Sequence, residues 1–162
     1  MLTSATNFQF STPFVAASFS VLSAILGEMP MKGSSGPAPD CTHVQILVSV
    51  VGEAQGHIVF AMSQETATAI ASAMICSPIE EFDQLAASAI AELCNMICGT
   101  ALIQLSDAGF SCDLAPPSIV IGSGTRISGL DLPETVIPLV LAQGACNITV
   151  ALQPDKHAKV AA

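Results

Sequence analysis

Glu92 and Asn95 are an acid and a carboxamide spaced one helical turn apart in Ser88-Ala89-Ile90-Ala91-Glu92-Leu93-Cys94-Asn95-Met96-Ile97. Neither is an activated nucleophile, and the residues around them offer no thiolate, Ser–His pair or metal cage, so a self-contained hydrolase is not the reading. A carboxamide can hold a water through its donor and acceptor at once, in line with a scissile bond, as Gln does in GTPases. The acid can dock on a cation beside a phosphoryl group. Such a pair needs a partner that carries the reacting group.

At about 100° per residue, Glu81, Ser88, Glu92, Asn95, Gly99 and Ser106 project into one narrow sector of a helix. Ala86, Ile90, Leu93 and Ile97 lie opposite. A Glu and an Asn at this spacing are ordinarily residues of a solvated face, but such a face is usually filled with Lys, Arg and Glu. This sector holds no cation. Ser88 and Gly99 flank the pair without bulk, which allows another protein's backbone to come close, and both are candidate partner contacts.

The elements that must position this helix are legible from punctuation. Thr12-Pro13 predicts a helix from about Pro13 to Leu26, closed by Gly27. Glu28–Asp40 reads as a mobile loop. His43–Val51 and His57–Met62 form a hairpin about Gly52–Gly56, and Ser63 caps a helix from Gln64 to Cys76. Ser77-Pro78-Ile79-Glu80 has the form of a capping box and sets the start of a long third helix that runs to about Asp107. Strands follow at Ser118–Ile121, Thr135–Ala142 and Cys146–Leu152, with a flexible connection over Gly122–Gly129 and a frayed tail from Pro154. The fold class is α+β, a mostly antiparallel sheet packed against long helices, in a single domain over 1–162.

A weak internal echo suggests a degenerate duplication. Offset by 72 residues, Ile25 and Gly27 fall on Ile97 and Gly99, and Ser20 and Ser23 take the places of Glu92 and Asn95. Ala54-Gln55-Gly56 recurs as Ala142-Gln143-Gly144. The first copy has lost the functional pair.

Composition narrows the function classes. Four Lys and Arg against thirteen Asp and Glu give a net charge of −9, which excludes a basic surface for nucleic acid. With 51% hydrophobic and only 10% charged residues the chain is not disordered, and its shortage of surface charge points to a face covered by another subunit. No uninterrupted apolar run approaches membrane-span length, and Met1–Gln9 lacks the charged start of a signal peptide, so a cytoplasmic protein is expected. The six cysteines read as reduced core thiols, the six Met as core filler, and His43 and His57 as edge or turn residues. Cys94 and Cys98, at i and i+4, have no further ligand at metal spacing, and Gly122-Ser123-Gly124 lacks the ending of a phosphate loop.

The segment Ser88 to Asn95 resembles the Ser/Asp-x-x-x-Glu-x-x-Asn signature of the CheC/CheX/FliY chemotaxis phosphatases, the CheX type above all. Asn7 to Leu26, the hairpin through Gly56, Ser63-Gln64-Glu65-Thr66-Ala67 and Ala115-Pro116-Pro117-Ser118 are similar to CheX too. Cys94 departs from the usual Gly or Ala, and Thr100 from a frequent Asn. The resemblance implies a phosphatase acting on the phospho-aspartate of a CheY-like response regulator, in chemotaxis or another two-component pathway. It assigns Asn95 to orienting the attacking water and Glu92 to a receiver Lys. It places Mg²⁺ on the receiver, leaves this chain without a cofactor or metal, and implies a homodimer. A non-catalytic module that binds a phosphorylated regulator, similar to the middle domain of flagellar switch proteins, is the alternative. A plain dimeric scaffold is a third.

Overall fold

Val44, Ile46, Val48 and Val50 alternate along β2 (Val44–Gly52), so one row of β-branched side chains turns to a single face. β2 pairs antiparallel with β3 (Ala54–Met62) from Val44↔Met62 to Val50↔Gly56. A second hairpin joins β6 (Thr135–Leu141) to β7 (Gly144–Pro154), and β3 and β7 pair along their whole lengths, from Ala54↔Pro154 to Met62↔Cys146. Three short strands complete the edges: β1 (Met31–Lys32) on β6, and β4 (Cys112–Leu114) and β5 (Ser118–Ile121) both on β2. The sheet is antiparallel, in the order β1-β6-β7-β3-β2-β4. These features come from a computed structural model that describes residues 3–34, 43–122, 127 and 131–157, with side chains from Phe10 onward.

Three helices, α1 (Thr3–Leu26), α2 (Gln64–Ile75) and α3 (Gln84–Asp107), cover the face to which those alternate side chains point. Ile46, Ile58, Ile137 and Ile148 from the four long strands meet Phe14, Ile70, Ile90 and Ile97 from the helices in one core. α1 packs against α3. Each half of the chain contains a 24-residue helix followed by a hairpin; the first half lends one short strand, and the second half two, to the outer edge of the other half's hairpin. That is the connectivity expected of a duplication.

α3 is long and apolar enough to cross a membrane. Here it is a core helix: Ile90, Leu93, Ile97, Ala101 and Leu105 are buried against α1 and the sheet. Small residues at Ala86, Ala89 and Ala101 leave room for that close packing.

Several expectations are corrected. α1 does not begin at Pro13, which lies buried inside a helix that starts at Thr3. One missing backbone bond and the ring's crowding are offset by Phe10 and Phe14, fully buried on either side. α3 does not begin at the Ser77 box. Asp83 caps it, its Oδ1 accepting the Ala86 N–H at 2.9 Å. Residues 77–82 are held as a loop because the Ser72 hydroxyl accepts the Ile79 N–H at 3.0 Å and Ile79 and Phe82 pack on the core. The loop expected over 28–40 contains β1, tied by the Gly33 N–H to the Pro138 carbonyl at 2.8 Å. Residues 35–42 and most of the connection over 122–129 lie outside the described residues.

β7 extends to Pro154, where the tail was expected to fray, and residues 158–162 lie outside the described residues. The echo of Ala54-Gln55-Gly56 in Ala142-Gln143-Gly144 does not mark equivalent places. The first triplet lies wholly within β3, whereas Ala142-Gln143 is the β6–β7 turn. His57 sits in a central strand, not at an edge.

Candidate functional site on helix α3

Asn95 lies near the middle of α3, where both ends of the helix are far enough away that fraying does not reach it. Its buried neighbours Leu93, Cys94, Ile97 and Cys98 lock the helix against the core, so the opposite side chains project from a rigid support. Glu92 and Ser88 are exposed, and Asn95 and Gly99 are half-buried. The side chains of Glu92 and Asn95 make no hydrogen bond or ion pair among the described residues. Their polar atoms are thus available to an incoming group.

The surroundings keep that availability. A Cβ built on Gly99 meets no atom within 4 Å, so the glycine answers no crowding inside this chain. Thr100 turns its hydroxyl back onto its own helix, donating to the Met96 carbonyl at 2.8 Å. α3 carries no Lys or Arg, so Glu92 has no intrahelical cation to neutralise it.

The structure brings Ser88, Glu92, Asn95 and Gly99 to one exposed side of α3, but it does not include Glu81. That residue lies before the helix, in the 77–82 loop, and lines a cavity of about 600 Å³ with Gln64, Glu65, Thr68 and Phe82. Cys94 and Cys98 face the core. Burial pushes the Cys98 thiol up to about 12, and burial together with the neighbouring Cys98 and Cys146 raises Cys94 well above the ordinary range. Thiols held protonated in this way are poor ligands and poor nucleophiles at neutral pH. Among the described residues two cysteines depart from the expectation of core thiols: Cys112 is half-buried, and Cys76 is exposed, in a left-handed conformation at the end of α2.

The sequence reading missed the apolar component of this surface. Leu85, Met96 and Ile103 are 56%, 40% and 65% exposed on the side of α3 that carries Glu92. Met29 and Met31 are exposed as well, so the methionines are not all core filler. The spacing 85, 96, 103 places these three within about 20° of one another at 100° per residue, and that signal was present in the sequence.

An antiparallel sheet covered on one face by three helices, with an unpartnered acid and carboxamide on the exposed side of the central one, is the CheC-like α+β architecture. A family model described as chemotaxis phosphatase CheX matches residues 44–151. The chain belongs to the CheX family. It is 30% identical over 128 residues to the CheY-P phosphatase CheX of Thermotoga maritima, covering 72% of this chain and 83% of that protein. The crystal structure of a chemotaxis protein CheX from Desulfovibrio desulfuricans superposes with a TM-score of 0.78 at 29% identity, covering 90% of this chain and 99% of that one. A CheX–CheY–BeF3–Mg²⁺ complex from Borrelia burgdorferi contains a chain with a TM-score of 0.78 at 26% identity, covering 89% of this chain and 97% of that one.

Proposed function

We propose that this protein accelerates hydrolysis of the phospho-aspartate of a CheY-type response-regulator receiver in the cytoplasm. The observation that carries the reading is the free, adjacent Glu92 and Asn95 on the exposed side of a rigid helix, in a chain of the CheX family. The Asn95 carboxamide enters the receiver's phosphorylation site and accepts from, and donates to, a water aligned with the phosphorus. The water oxygen bonds to phosphorus as the bond to the aspartyl oxygen breaks, releasing inorganic phosphate and a free carboxylate. Glu92 docks on a receiver lysine and fixes the approach, while Ser88 and Gly99 let the partner's backbone lie against α3. Mg²⁺ is supplied by the receiver and offsets the phosphoryl charge there, so positioning one water is a sufficient contribution from this chain. A homodimer covers part of the apolar surface that so few charges leave unsolvated.

Binding and chemistry separate in the test. Asn95→Ala should bind a receiver charged with beryllofluoride and Mg²⁺ within about threefold of wild type, and Glu92→Ala should bind it at least about tenfold more weakly. Equal binding by wild type and Glu92→Ala would remove the acid from the docking role.

A further inference from the structure

A protein that brings a reacting group to Asn95 must also cover neighbouring parts of α3, and three exposed apolar side chains lie within about three turns of it on that side. Leu85, Met96 and Ile103 lie on one edge of the Glu92 side of α3, while Ser88, Asn95, Gly99 and Ser106 lie on the other. At 1.5 Å per residue, Leu85 is about 15 Å and Ile103 about 12 Å from Asn95 along the axis. A standard interface takes about 800 Å² from each partner, a disc of roughly 16 Å radius. Centred on Asn95, that disc contains Met96 and Ile103 and reaches Leu85 at its rim.

We propose that Leu85, Met96 and Ile103 form the specificity-determining edge of the docking surface and select a receiver that presents an apolar patch beside its phosphorylation site. The inference rests on the phosphatase reading and assigns the two edges different work. The small, polar edge admits the partner's backbone and performs the chemistry. The apolar edge supplies affinity through area removed from water. α3 contains no cation, so a receiver docking here is retained chiefly by apolar burial plus the single contact at Glu92. Binding of this kind depends weakly on salt. Met96 stands at the centre of the stripe, adjacent to Asn95 in sequence and one turn from Glu92, where excluded solvent raises the value of each contact.

The test uses the full-length protein and CheY-type receivers from the same genome, phosphorylated with acetyl phosphate, with phosphate release followed against receiver concentration. Met96→Ser combined with Ile103→Ser should raise KM at least about tenfold with kcat within about twofold of wild type. Met96→Leu should keep the wild-type KM. Val51→Ser, which alters an exposed apolar residue at the end of β2 away from this face, should change neither constant. An unchanged KM in the double variant overturns the docking inference while leaving the phosphatase reading intact. A wild-type protein that releases no phosphate from any receiver overturns both. A change in oligomeric mass of the double variant by light scattering would show the stripe to be a contact between copies, which also overturns the inference.

Discussion

Gly99→Ala should make the protein more stable and less active. Glycine inside a helix costs about 1 kcal/mol relative to alanine, because its backbone loses more freedom on folding. Gly99 lies well within α3, and the added Cβ meets nothing within 4 Å, so no steric cost offsets that gain. In a domain of this size about 1 kcal/mol corresponds to a rise in Tm of about 2–4 °C. A partner whose backbone rests on the glycine is displaced by the new methyl, and a misplacement of about 1 Å at a positioned water costs up to about 100-fold in rate. Thermal unfolding and phosphate release from a phosphorylated CheY-type receiver, measured on one preparation, read both effects. A raised Tm with undiminished phosphate release would show that nothing packs against Gly99. A lowered Tm would contradict the open space above it.

Two further outcomes follow from the fold. Asp83→Ala should cost about 1 kcal/mol in denaturant unfolding by removing the α3 cap, whereas Ser77→Ala should cost less than about 0.5 kcal/mol; the reverse order would restore the helix start to Ser77. Cys98 is raised from 9.0 to about 12 in the folded state, so the native protein holds the proton over that interval and the unfolded chain releases it. Stability should therefore be intact below pH 9 and fall above it, by up to about 1.4 kcal/mol per pH unit for this thiol, and Cys98→Ala should flatten the slope seen in urea titrations between pH 8 and pH 10.5.

What the sequence revealed tracks how local each cause is. Ser63 before Gln64 and Gly27 after Leu26 act through their own turns, and both ends fall where their residue types place them. The Ser63 hydroxyl accepts the Thr66 N–H at 3.1 Å. Ser77-Pro78-Ile79-Glu80 has the same local form and does not cap, because Ser72 and the core claim Ile79 first. β1 and β4 are two and three residues long and exist only as partners of strands far along the chain, so no periodicity announces them. Pro13 misled for a related reason: its local rule was outweighed by two buried phenylalanines.

The site divides along the same line. Glu92, Asn95, Ser88 and Gly99 share a face because helical geometry alone puts them there, and the structure keeps that arrangement. Glu81 was assigned to the same face only through the mistaken helix start. The apolar edge went unseen because the methionines were read as core filler and Leu85 and Ile103 were assigned no role, whereas Leu85, Met96 and Ile103 are all exposed on this face.

The central claim is most directly tested by the first-order rate of phosphate loss from a phosphorylated CheY-type receiver held saturated with either wild-type protein or Asn95→Ala. With binding removed from the comparison, the account predicts that wild type speeds the loss well above the receiver's own rate and that Asn95→Ala falls back by about 100-fold. Equal rates for the two proteins would contradict it.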